Sequence, residues 1–155
     1  MTDLSDLVTP DSIVTGEGVA GKKALFQQIA SLAVARLGVD PGEVIERLGE
    51  RERLGSTGFG GGIALPHAKI AGLNEVAGFF IQLPQPIEFQ AIDHLPVDLV
   101  FALLSPPDAG AEHLKALARV SRRMRERTFV AKLRGAGSAD AIYALLAGVE
   151  ARDAA

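Results

Sequence analysis

The chain has 155 residues, 48% of them apolar and 23% charged, with a net charge of −3 and no cysteine. Such a length and composition suit one soluble domain with its own core, and the charge offers no general attraction to nucleic acid or anionic membrane. The missing thiols exclude disulfides, zinc–thiolate centres and cysteine nucleophiles.

No repeat or linker divides residues 1–155, which read as a single domain. The start, MTDLSDLVTP, is acidic and lacks the basic-then-apolar pattern of a signal peptide. The strongest apolar runs, LVFALL and IYALLAGV, are far shorter than a membrane span. A cytoplasmic protein without membrane insertion is therefore expected. Aromatics are scarce and tryptophan is absent, so stacking on single-stranded nucleic acid is not expected.

DSIVT (11–15) is predicted as a short strand. Residues 22–38 are predicted as a helix ended by Gly38, with Leu25, Phe26, Ile29, Leu32, Ala33 and Leu37 on one stripe. DPGEVIERL starts a second helix: Asp40 is placed to cap it, Pro41 stands at its first position and Glu43 at the capping-box position. Val44, Ile45 and Leu48 supply its inner face, and it should end near Arg53.

Three strands follow, at 62–66, 76–84 and 96–107, with 87–89 as a minor edge strand. Phe79–Phe80–Ile81 and the run from Leu99 to Leu104 are continuously apolar, as in strands covered on both faces. A helix over 108–126 should be capped by Asp108 and bury Leu114, Leu117, Ala118, Ser121 and Met124. Two shorter helices close the chain, one over FVAKLRG and one over 138–150 capped by Ser138. Helices around a central group of strands predict an α/β fold, a mixed sheet flanked by helices on both faces.

Three places suggest chemistry. GEGVAGKK has the glycine and lysine spacing of a phosphate-binding loop, but Lys23 stands where Ser or Thr would bind magnesium; it reads as a glycine-rich turn. GSTGFGGGIALPH crowds glycines before Pro66 and His67, placing a histidine at a strand exit, where open α/β sheets hold ligands. His113 falls near the start of a helix, where partial positive charge favours anions and neutral imidazole. Two neutral imidazoles at one sheet edge suit group transfer between nitrogens, or a metal. Arg51 could clamp a phosphate beside Ser56 and Thr57, or merely pair with Glu50 or Glu52. His94, in the turn-like AIDHLP, reads as structural. The residues alone leave the role of His67 open, and for Arg51 they favour the plain ion pair.

RERLGSTGFGGGIALPHAK resembles the phosphorylation-site signature of enzyme IIA domains of the mannitol/fructose class in the bacterial phosphotransferase system. FQAIDHLPVDLVFALLSP and HLKALARVSRRM are similar to the nitrogen-regulatory branch of that family, and the likeness covers about 4–149. It departs mildly at Phe59, Gly61 and Ala68. The resemblance implies that His67 accepts a phosphoryl group from an HPr-like carrier, with His113 as the second active-site histidine and Arg51 as a phosphate or partner contact. With it go phosphate contacts at Ser56 and Thr57, a docking rim at Phe59, Leu65 and Ile70, and no metal, nucleotide or other cofactor. It implies regulatory targets such as potassium transporters or sensor kinases; the alternative is a sugar-specific IIA that hands its phosphate to a IIB domain. Arg119, Arg122, Arg123, Arg125 and Arg127 read as a solvated helix face, with a docking strip for an acidic target as the other reading.

Overall fold

The computed structural model describes residues 4–148. A short 3-10 turn (Pro10–Ser12) leads into β1 (Ile13–Thr15). Helices α1 (Lys22–Leu37) and α2 (Pro41–Leu54) follow, then β2 (Gly58–Gly60), β3 (Ile63–Ala64), β4 (His67–Lys69), β5 (Ala77–Ile87) and β6 (Val97–Ser105). Helices α3 (Gly110–Arg123), α4 (Arg127–Gly135) and α5 (Ala139–Ala147) complete the described chain.

The sheet runs β1-β5-β6-β3-β2, and β4 also pairs with β6. β5 and β6 are antiparallel, as are β2 and β3; the other pairings are parallel. The two long central strands carry the core because their side chains alternate between faces. Phe79, Ile81, Val100, Ala102 and Leu104 pack under α1 and α2. Phe80, Leu99, Phe101 and Leu103 pack under α3, α4 and α5. The mixed sheet with helices on both faces agrees with the expectation from the sequence.

Local signals act as read in the first half of the chain. Gly38 ends α1 in the left-handed conformation, and the Asp40 carboxylate accepts from the Glu43 N–H at the start of α2. Residues 87–89 form no separate strand, because β5 itself continues to Ile87 after a register shift beyond Gln82. The predicted last helix carries its Ser138 cap, and its continuation past 148 lies outside the described residues.

Helix α3 differs most. It starts at Gly110 after Ala109, without a capping side chain, and Asp108 is exposed in the preceding turn. Its inner face is His113, Ala116, Val120 and Met124, while Leu114 is 65% exposed. Both this stripe and the predicted one have helical spacing, and in so alanine-rich a segment residue size does not choose between them. Packing on Phe101 and Leu103 does.

The glycine-rich stretch is a hairpin rather than a phosphate cradle. β2 turns at Gly61 and Gly62 into β3, and Gly62 has φ +82°. At Gly58 a Cβ would stand 2.8 Å from the Ala91 Cβ and 3.0 Å from the Phe89 ring, so only glycine lets that loop lie flat against β2.

Candidate active site

β3 and β4 behave as one interrupted strand. Ile63 pairs with Leu99 and His67 with Leu103, so Leu65 and Pro66 break the pairing without shifting the register. Paired residues in neighbouring strands face the same side. His67 therefore shares a face with Leu103, toward α3, and Ser105, two residues on, faces that side as well. Pro66 does not leave His67 at the exit of a finished strand, as the sequence suggested, but precedes a second strand segment that begins with it. The other edge of β4 pairs with no strand among the described residues, and the end of α2 reaches over it.

Three predicted residues come together there. The ring centroids of His67 and His113 lie 5.5 Å apart, and Arg51 Nε donates to His67 Nε2 at 3.2 Å. Arg51 Nη1 also holds the Gly55 carbonyl at 2.8 Å, which caps the end of α2 and fixes the guanidinium. His67 Nδ1 lies 2.8 Å from the Leu65 carbonyl oxygen. A carbonyl only accepts, so Nδ1 carries the ring proton and Nε2 is left with its lone pair. His113 lies in the second turn of α3, with Nδ1 2.6 Å from the buried Ser105 Oγ.

Both rings are pushed below the ordinary imidazole value of 6.5, first by burial. For His67 the Leu65 carbonyl opposes burial, the Arg51 charge then adds to the lowering, and Glu52 opposes it least. For His113, His67 and Lys69 add to it. Both rings are thus neutral at pH 7. They line an open depression of about 630 Å³ with Arg51, Arg47, Lys69 and the exposed side chain of Leu54. Among the described residues no group of three or more His, Cys, Asp or Glu side chains is placed to hold a metal ion.

Other predicted site residues lie elsewhere. The N–H and hydroxyl of Thr57 donate to the carboxylate of Glu52, which also receives Lys22 at 3.0 Å. Ser56 Oγ donates to the Phe89 carbonyl and accepts from the Gly58 N–H. Both hydroxyls donate to partners that hold the loop, and Glu52 at that place would repel a phosphate. Leu65 and Ile70 are buried, so they form no docking rim. Phe59 lies under Arg125 in a different groove, with Ile63, Met124 and Val130. His94 occupies an exposed turn with φ +63°. The arginines at 119–127 do not form one strip: Arg119 pairs with Asp6 and Arg123 with Glu126.

Sequence reasoning missed three participants: Glu52, Ser105 and Leu54. Glu52 sits inside the quoted signature but needs the fold to bring Thr57 and Lys22 to it. Ser105 is signalled only as a hydroxyl in an apolar strand. Leu54 is legible as a large apolar residue at the polar end of α2, where it is 86% exposed.

The family described as "Phosphoenolpyruvate-dependent sugar phosphotransferase system, EIIA 2" matches residues 6–149. The chain belongs to this EIIA 2 family. Within it, the chain is similar to the nitrogen regulatory protein of Bradyrhizobium diazoefficiens, with 44% identity over 93% of this chain and 94% of that one. It is also 42% identical to the nitrogen regulatory protein of Escherichia coli K12, over 83% and 80% of the two chains. The crystal structure of nitrogen regulatory protein IIA-Ntr from Neisseria meningitidis superposes with a TM-score of 0.86 at 34% identity, covering 92% of this chain and 98% of that one. IIA mannitol from Escherichia coli shares the fold, with a TM-score of 0.75 at 21% identity, over 90% of this chain and 98% of that one. No helix among the described residues of this EIIA 2 chain is long and apolar enough to cross a membrane.

Proposed function

We propose that this chain carries a phosphoryl group on His67 Nε2, accepts it from an HPr-like phosphohistidine carrier in the cytoplasm, and acts as a nitrogen-branch regulatory protein. The observation that supports this most is the state of His67. Its proton is held on Nδ1 by the Leu65 carbonyl, its Nε2 lone pair opens on the depression, and a guanidinium lies 3.2 Å from that nitrogen. Membership of EIIA 2 and the names of the relatives support the phosphoryl chemistry and the regulatory role.

In the transfer, the Nε2 lone pair attacks phosphorus as the bond to the carrier's imidazole nitrogen breaks, and the carrier leaves with that electron pair. The Nδ1 proton stays in place, where the Leu65 carbonyl stabilises the positive charge the ring acquires. Arg51 turns from the nitrogen to the phosphoryl oxygens, and His113 flanks them; positioning and charge carry such a reaction. The reverse step returns the group with no net proton movement. Phosphorylation adds about −1.5 to −2 charges to a depression that holds a neutral imidazole, enough to change which surfaces bind there.

Incubation with phosphoenolpyruvate, enzyme I and an HPr-type carrier should add one acid-labile phosphoryl group, seen by intact mass, and His67→Ala should remove it. Full labelling of that variant refutes the assignment. A sugar-specific role is favoured by one observation: the fructose-specific EIIA component of Haloferax volcanii is 32% identical over 96% of this chain and 97% of that one. Rapid transfer from the labelled protein to a fructose or mannitol IIB domain would establish that role instead.

A further inference from the structure

β6 is an apolar strand, VDLVFALLS, that ends in a hydroxyl. Ser105 is fully buried, and its carbonyl accepts from the Ile70 N–H at 2.8 Å. Among the described residues its Oγ has one partner, His113 Nδ1 at 2.6 Å. Which atom donates follows from counting protons. If Oγ–H donates to Nδ1, both groups are satisfied and the ring proton sits on Nε2. If Nδ1–H donated to Oγ instead, the hydroxyl proton would be left buried without an acceptor, which is unfavourable.

His113 lines the depression, and with Nδ1 turned to Ser105 the nitrogen left for the depression is Nε2. We propose that Ser105 is a positioning residue that holds His113 as the Nε2–H tautomer, so that this histidine presents an N–H donor to an oxygen of the phosphoryl group on His67. The proposal rests on the reading of His67 as phosphoacceptor. Two identical side chains thereby take opposite roles. The Leu65 carbonyl can only accept, which leaves His67 Nε2 unprotonated, held by Arg51 until it acts as the nucleophile, and the Ser105 hydroxyl is placed to donate, which arms His113 Nε2 as a donor. The sheet register sets both, because His67 and Ser105 face the same side two positions apart on paired strands.

Long-range 1H–15N correlation spectra of the whole protein at a pH where both rings are neutral test this directly. The wild type should show His113 protonated on Nε2 and His67 protonated on Nδ1. In Ser105→Ala, His113 should become a tautomer mixture, and its titration should move up, because Oγ–H no longer favours the neutral ring. The charged or titratable groups facing His113 are His67 and Lys69 on β4 and Glu43, Arg47, Glu50 and Arg51 of α2 across the depression, all unchanged in the variant. Transfer to His67 should slow by about three- to tenfold, the loss of one neutral hydrogen bond, and Ser105→Thr should restore both tautomer and rate. A wild-type His113 protonated on Nδ1, or a Ser105→Ala variant with an unaltered tautomer, overturns the proposal. Absence of labelling on wild-type His67 would instead defeat the phosphoacceptor reading, while the nitrogen spectra still decide the role of Ser105.

Discussion

Replacing Arg51 with methionine keeps the side chain's reach and much of its apolar stem while removing its charge and donors. Two contacts are lost, Nε to His67 Nε2 at 3.2 Å and Nη1 to the Gly55 carbonyl at 2.8 Å. The first lies where phosphoryl oxygens arrive, and a hydrogen bond from a charged donor contributes about 1.5–3 kcal/mol, or roughly 10- to 150-fold in rate. The depression is open to solvent, so screening favours the lower part of that range, about 10- to 30-fold. Single-turnover transfer from the phosphorylated carrier, sampled by rapid quench, measures this. A second readout is independent of the carrier. The Arg51 charge is one cause of the lowered His67 titration, after burial, so Arg51→Met should move that ring's NMR titration part of the way up toward 6.5. Arg51→Lys should keep the titration low yet lose rate, since an ammonium lacks the planar fork. A transfer rate within about twofold of wild type, or a His67 titration that moves down, would refute the placement of Arg51 against both the ring and the phosphate.

The two lowered histidines also make stability depend on pH. The unfolded chain binds protons near the ordinary 6.5 and the folded one only at lower pH, so stability is fully present above that value and falls as pH drops through the folded values. Urea midpoints should decrease from about pH 7.5 to about pH 5.5, and a His67→Ala/His113→Ala double variant should flatten the trend; a midpoint that rises toward acid contradicts the burial argument. Gly62→Ala forces a Cβ to 2.6 Å from Arg134 Nη2 and 3.0 Å from Asp98 Oδ1 at φ +82°. It should cost about 1–3 kcal/mol in denaturant unfolding, and an unchanged midpoint would show the hairpin to be relaxed there. Leu54→Asp puts a charge on an apolar side chain that is 86% exposed beside the histidines. It should slow carrier transfer severalfold with stability within about 0.5 kcal/mol of wild type; equal rates would remove Leu54 from the docking surface.

The sequence alone determined whatever depends on near neighbours. The stripe from Leu25 to Leu37, the Asp40 cap, the Gly38 stop and the two apolar strand runs are local patterns, since helical and strand periods are set by adjacent backbone geometry. The fold class and the family followed from them and from the GSTG-to-PH signature. Tertiary structure decided the rest, because it turns on partners far along the chain. Thr57 could not be seen to belong to Glu52, nor Leu65 and Ile70 to the core, until α2 and β6 were in place. The inner face of α3 was chosen by Phe101 and Leu103 rather than by its own alanines. The proton positions on His67 and His113 are tertiary facts of the same kind: one is set by a carbonyl that meets the ring where the strand breaks at Pro66, the other by a hydroxyl delivered by the register of β6.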